Sequence, residues 1–326
     1  MKWMSTLETE FNDGSLTNIN SRTLFDPIRS YISHAKGSIY LIVPFITNST
    51  LIKLLEGVQG NRVCIVTSWR GDHLRSGVSS LELYKICKAN GWTLFVNSNL
   101  HCKIYSDSFE SCIVTSANCT ENALVNTNGN VESCVHISEL KKGNRIELNR
   151  IVYGSTRVDD RIFNQYLKWF EQLPKENENI FSEPNIVDIS PFYVSQLPAV
   201  RSPELLWEYV SNDAQFNNIS EIEHDLAIYS TNPFGFRVRK DFFDDLRNQF
   251  LSHPFIKSLE EEIPISGIRF GAFKIKVQNN CCDVPLPYRK DLTIMTQNLY
   301  QWFVELFPDT FYWDVPGSHS QVLHRR

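Results

Sequence analysis

Apolar runs in the first half of the chain alternate with segments of helical spacing. Residues 39–45 (IYLIVPF), 62–66 (RVCIV) and 92–96 (WTLFV) are apolar at nearly every position, which predicts strands covered on both faces. Between them, 50–56 (TLIKLLE) reads as a short helix and 79–89 (SSLELYKICKA) as a longer one ending before Gly91. The order then changes. Segments 103–105 (KIY) and 111–114 (SCIV) predict paired strands around a polar turn at Ser106 to Glu110, and 131–137 (VESCVHI) a further strand. Residues 159–172 carry Ile162, Phe163, Tyr166, Leu167 and Phe170 on one helical stripe. The pattern predicts an α/β domain, a mixed β-sheet sandwiched by helices.

The segment PKENENIFSEPN (174–185), rich in Pro, Asn and Glu, reads as a connection between domains. The expected organisation is a first domain over 1–175, a linker over 176–185 and a second, α+β domain over 186–326. In the second, 234–239 (FGFRVR) alternates as a half-buried strand would, and 240–251 (KDFFDDLRNQFL) has helical spacing. Residues 268–277 (IRFGAFKIKV) alternate twice, with the apolar phase moving across Gly271 and Ala272; a strand with a β-bulge accounts for that shift. Residues 291–307 predict a helix closed by Pro308.

Composition narrows the class. The 326 residues, 42% hydrophobic and 21% charged, suffice for two domains with real cores. Met1 to Ser15 lack the basic-then-apolar pattern of a secretory leader. The longest apolar stretch, Ile39 to Phe45, is too short to cross a bilayer. A cytoplasmic protein without a membrane partner is expected. Eight cysteines, none in a CxxC pair, read as small buried hydrophobes and argue against a zinc site. The net charge of −5 gives no general field for a polyanion, and residues 190–326 hold 13 Lys and Arg against 17 Asp and Glu. Nucleic acid would therefore bind to local basic stripes.

The chemistry concentrates in residues 100–135. His101-Cys102-Lys103 is followed by Ser116-Ala117-Asn118 and then by Asn130-Val131-Glu132. On a strand, His101 and Lys103 would leave the same face. This order resembles the histidine-lysine signature of the phospholipase D superfamily, in which HxK precedes a GSxN-like turn and a later N-x-E. The upstream segments IYLIVPFIT, IVTSWR, GVSSLELY and LHCKIY most resemble the restriction-endonuclease-like nuclease branch. The resemblance covers roughly residues 25–137.

The resemblance implies a phosphodiesterase that uses neither a metal nor another cofactor. In it His101 attacks phosphorus while Lys103 grips a non-bridging oxygen. Ser116 and Asn118 donate hydrogen bonds to the same phosphoryl group, and Glu132 accepts from the far ring nitrogen of His101, fixing its tautomer. The superfamily uses two histidines, one from each of two motifs. This chain has one such motif with its S-x-N and N-x-E; His34-Ala35-Lys36 also reads HxK but neither element follows it at that spacing, and His73, His136, His224, His253, His319 and His324 lack an HxK partner. Single-motif members form homodimers that bring two copies together, so a homodimer through the N-terminal domain is expected. Two positions depart from the family pattern: Ser108 stands where aspartate is frequent, with Asp107 one residue earlier, and Thr115 stands for the usual glycine.

Other residues are open to two readings. Trp69 and Arg70, in Ser68-Trp69-Arg70-Gly71-Asp72, either line a substrate channel or belong to an ordinary strand-exit loop. Arg237, Arg239, Lys240, Arg269, Lys274 and Lys276 sit among aromatics on strand-like segments. They either contact phosphates or point outward as half-buried strands permit. Asp107 with Glu139-Leu-Lys141 matches metal-dependent nucleases only loosely. The leading expectation is a DNA endonuclease of restriction or defence type, with residues from about 185 recognising the target and a defence partner left unspecified. A lipid phosphodiesterase is disfavoured by the lack of a basic amphipathic helix. A nucleic-acid-binding protein with a decayed site is disfavoured by the intact motif.

Overall fold

Eight strands form one mixed sheet: β1 (Thr17–Asn20), β2 (Ile39–Ile42), β3 (Val63–Thr67), β4 (Thr93–Val96), β5 (Ile104–Asp107), β6 (Ser111–Thr115), β7 (Glu132–Ile137) and β8 (Thr156–Arg157). Their order is β1-β7-β6-β5-β2-β3-β4-β8. Only β2–β3 and β3–β4 pair in parallel. The computed structural model describes residues 17–20, 24–173, 192–212, 215–283, 287–318 and 320–326, and the expected linker 176–185 lies outside these. The chain divides into two compact units, Met1–Ile186 and Val187–Arg326. No helix among the described residues is long and apolar enough to cross a membrane.

The first unit carries helices α1 (Phe25–Ser33), α2 (Asn48–Leu54), α3 (Gly71–Arg75), α4 (Glu82–Asn90), α5 (Lys142–Tyr153) and α6 (Asp160–Gln172). Strands β2, β3 and β4 are apolar at nearly every position because helices cover both faces. Leu41, Ile65, Leu94, Tyr105 and Ile113 share one core with Ile28 of α1, Leu51 of α2, Leu83 of α4 and Ile162 of α6. Ile42 and Val66, one residue along, share the other core with Leu148 and Val152 of α5. That alternation follows from the strand period of two. Helix α4 stops where expected, at Gly91, whose φ of +71° puts it in the left-handed region.

Strand register fixes the functional edge. Ile42 pairs with both Val66 and Ile104, Ile104 with Val114, and Thr115 with Cys134. The carboxyl ends of β2, β3 and β6 therefore lie at one edge of the sheet, beside the amino ends of β5 and β7. At the opposite edge the β5–β6 turn holds Ser108 and Phe109 at φ 52° and 58°. Asp107 anchors this turn by accepting from the Lys36 and Gly37 N–H groups, both at 2.9 Å. Ser108 Oγ accepts from Ser38 N at 2.9 Å, and the Phe109 ring stacks on Tyr40 with centroids 4.0 Å apart. Asp107 is thus a structural residue here.

The second unit contains α7 (Glu204–Ser211), α8 (Ile219–Tyr229), α9 (Arg239–Ser252), α10 (Pro254–Glu261), β9 (Ile268–Arg269), α11 (Phe270–Asn280), α12 (Arg289–Leu306), β10 (Phe311–Asp314) and β11 (Val322–Arg325). It is α+β, with a small sheet ordered β10-β11-β9. Two strand expectations are corrected. Residues 234–238 form turns that lead into α9, and only Ile268 and Arg269 of 268–277 are strand. From Phe270 the chain is helical, burying Phe273 and Val277 four residues apart. The phase change across Gly271 and Ala272 marks the switch from strand to helical period, with no bulge.

Candidate active site

His101 and Lys103 do not lie on a strand; they occupy the extended segment entering β5. The Lys103 carbonyl accepts from Thr115 N at 3.0 Å, which carries the β5–β6 pairing one step toward the edge. His101 is exposed, whereas its neighbour Leu100 is buried. A buried leucine on one side and a paired backbone on the other hold the histidine outward at the end of the sheet. Lys103 Nζ donates to the His101 carbonyl at 2.8 Å, so the ammonium lies against the backbone of the histidine.

Ser116, Asn118 and Glu132 reach the same edge from β6 and β7. Thr115, in place of glycine, donates from Oγ1 to the Ser133 carbonyl at 2.7 Å and accepts from Ala117 N at 3.0 Å. Its side chain therefore shapes the turn that glycine would leave to the backbone alone. Ser116 Oγ accepts from Ser133 N at 3.0 Å and donates to the Glu132 carboxylate. The other Glu132 oxygen accepts from Asn130 Nδ2 at 3.0 Å. Glu132 is buried, and no hydrogen bond joins it to the His101 ring. Its anchors are Ser116 and Asn130, in place of the expected imidazole.

Asn118 sits on a loop stitched to the exit of β2. Cys119 N donates to the Phe45 carbonyl at 3.1 Å, and Thr47 N to the Cys119 carbonyl at 2.9 Å. The Asn118 Oδ1 is buried without a partner, a costly state for a carbonyl.

A histidine that the motif does not include joins this edge. His73, on α3, places Nδ1 3.0 Å from Ser68 Oγ and its ring edge-on to Phe45, with centroids 4.7 Å apart. Burial pushes its pKa below the usual histidine range; the nearby Asp72 carboxylate opposes this, while the charges of Arg70 and His101 add to it. Ser68 directly follows β3, so its bond to His73 sets that ring at the carboxyl end of β3, the edge that His101 also occupies. The sequence carries no spacing signal for this; the proximity comes from the parallel β2–β3 pairing.

The remaining candidates are dispersed. Trp69 is only 1% exposed and packs edge-on against Tyr166 at 5.1 Å; it is a core residue and does not line a channel. Arg70 lies at the edge, engaging Asp72 through Nε at 3.0 Å and Nη2 at 2.8 Å. In the second unit Arg239 is paired with Glu204, Lys240 with Asp244 and Lys276 with Glu262. Arg237 is exposed on the turn before α9, Arg269 is exposed on β9, and Lys274 on α11 reaches Thr293 Oγ1 at 3.4 Å. The strand-borne basic stripe does not form, because most of its host segments are turn and helix. Among the described residues no group of three or more His, Cys, Asp or Glu is arranged to hold a metal ion.

No protein-family model and no curated protein matches the chain. Among solved structures it is similar to Nuc, a phospholipase D family member from Salmonella typhimurium, at 23% identity and TM-score 0.34, over 41% of this chain and 90% of that one. NucT from Helicobacter pylori is similar at 12% identity and TM-score 0.27, over 45% of this chain and 84% of that one. TrmBL2, an archaeal chromatin protein, is similar at 14% identity and TM-score 0.27, over 50% of this chain and 55% of that one.

Proposed function

We propose that the chain is a phosphodiesterase that cleaves DNA without a metal cofactor, a cytoplasmic endonuclease of restriction or defence type, with His101 as its nucleophile. The observation that carries this reading is the meeting of His101, Lys103, Ser116, Asn118 and Glu132 at one sheet edge, from the segment entering β5, the turn after β6 and the start of β7. A nucleophile, a cation and hydrogen-bond donors around one point suit attack on a phosphodiester.

In the first step a ring nitrogen of His101 forms a bond to phosphorus and the bond to the leaving oxygen breaks. That oxygen takes a proton from a second imidazole, contributed by His101 of a twin subunit. In the second step the twin imidazole accepts a proton from water as its oxygen attacks the phosphohistidine. The histidine–phosphorus bond breaks and both imidazoles return to their starting states. Lys103 turns from the His101 carbonyl toward a non-bridging oxygen, and the Asn118 amide donates to the same phosphoryl group. The second unit recognises the target.

The test is plasmid cleavage by the purified chain with and without EDTA, beside an assay on phosphatidylcholine vesicles. DNA cleavage that persists in chelator and disappears in His101→Ala is the expected result. Cleavage that needs a divalent ion and survives His101→Ala defeats the proposal, and turnover of lipid alone replaces the substrate class.

A further inference from the structure

The geometry points to a duplex-DNA-reading surface in the second unit, formed by the amino-terminal half of α12 with the β10–β11 hairpin beside it. This deepens the reading above, since it names the elements by which the proposed nuclease meets its target. Helix α10, strand β9, helices α11 and α12 and the β10–β11 hairpin follow one another, and β11 lies between β9 and β10. That connectivity is a helix-turn-helix closed by a small sheet, a winged-helix arrangement, in which the third helix enters the major groove.

Local contacts fix the parts. Ile268 and Arg269 pair with Leu323 and Val322. Phe270 N donates to the Gln321 carbonyl at 2.9 Å, and Tyr300 Oη of α12 donates to the Ile268 carbonyl at 2.8 Å. Helix α12 buries Leu292, Thr296, Leu299, Tyr300 and Phe303, a stripe at helical spacing. On the opposite stripe Lys290, Ile294 and Gln297 are exposed, and Tyr288 at the helix entrance is 84% exposed.

The exposed side chains match base edges. A lysine suits the guanine acceptors, a glutamine the adenine edge, an apolar group the thymine methyl, and Asp291 beside them the cytosine amino group. Charge separates this segment from the rest of its unit. Residues 268–326 hold seven Lys and Arg against five Asp and Glu, whereas 187–267 hold six against thirteen. Three of those five acids are engaged: Asp283 by the Val194 N–H, Glu305 by Ser202 and Asp314 by His324. Exposed Arg269 and Lys290 form no ion pair among the described residues. A phosphate backbone meets least repulsion here.

The experiment measures binding of the full chain to a fluorescein-labelled random duplex pool of about 30 base pairs, long enough for two turns of groove. The parent is expected to bind with an affinity that falls as salt rises. Lys290→Ala with Gln297→Ala should weaken it by about tenfold or more, with the melting temperature of the parent. Lys257→Ala, which removes one charge from α10, should change it less than about twofold. The surface is overturned by a parent that does not bind duplex or prefers an RNA hairpin, by a double variant that binds as tightly as the parent, by an equal loss in Lys257→Ala, or by a double variant that alters self-association in place of DNA binding. Hydrolysis of bis(p-nitrophenyl) phosphate by the parent is measured separately. Its absence sinks the nuclease reading alone and leaves the surface to be judged on binding.

Discussion

Ser116 and Asn118, two residues apart on one turn, are set up for different work. The Ser116 hydroxyl accepts from Ser133 N and donates to Glu132, so its proton is already committed. Asn118 has its carbonyl oxygen buried without a donor. Ser116→Ala strands the Ser133 N–H and one Glu132 oxygen, which should cost about 1–3 kcal/mol in urea denaturation. Its effect on kcat should be well below the roughly hundredfold that loss of a direct donor to a reacting oxygen brings. Asn118→Ala should show the reverse pattern: stability near that of the parent, or raised, and kcat down by about a hundredfold. Equal kcat losses with no change in stability would remove the distinction. The motif itself was legible, because HxK, S-x-N and N-x-E are spacings along the chain. The Ser116–Glu132 bond was not, since it depends on Thr115 facing Cys134 across β6 and β7. His73 was invisible for the same kind of reason.

The β5–β6 hairpin shows how one element sets the edge opposite the one it serves. A Cβ on Gly37 would stand 1.7 Å from Ser108 Oγ and 3.2 Å from an Asp107 carboxylate oxygen. Gly37→Ala should therefore destabilise the first unit by about 1–3 kcal/mol through overpacking. Ser108→Gly removes the obstructing hydroxyl and relaxes a left-handed residue, so the double variant should recover most of the loss in a mutant cycle followed by thermal melting. Additive losses would contradict the contact. His253, between α9 and α10, gives a pH prediction. Burial lowers its pKa to about 4, against about 6.5 in an unfolded chain. The unfolded state then binds more protons between these values, so stability is complete above about pH 6.5 and falls as pH drops toward 4, by up to about 3 kcal/mol. His253→Phe should flatten that slope; an unchanged slope would show the imidazole to be well solvated. Elements were legible where burial on both faces makes a strand apolar throughout, as in β2, β3 and β4. They were misread at 268–277, where a two-residue strand runs straight into a helix whose first turns carry alternating residues.

At the scale of the whole molecule the open chemical question is where the second proton-transfer group comes from. The chain has one HxK followed by S-x-N and N-x-E, and phosphodiester cleavage needs an acid for the leaving oxygen as well as a nucleophile. Two imidazoles compete for that role: the twin His101 of a second subunit, and His73 of the same chain, held by Ser68 at the same sheet edge. Mixing separates them. If both imidazoles come from two copies, a heterodimer of parent and His101→Ala has no complete site. An equimolar mixture, after subunit exchange, then keeps about a quarter of the activity of undiluted parent, because only one dimer in four carries both histidines. If His73 serves, each parent subunit is complete and the mixture keeps about half. His73→Ala should then abolish turnover, whereas under the composite-site proposal it acts only by reshaping the wall of the site and lowers the rate modestly. Dilution gives the independent reading: activity per subunit that falls together with the dimer signal in light scattering supports the shared site, and full activity in the monomer transfers the acid to His73.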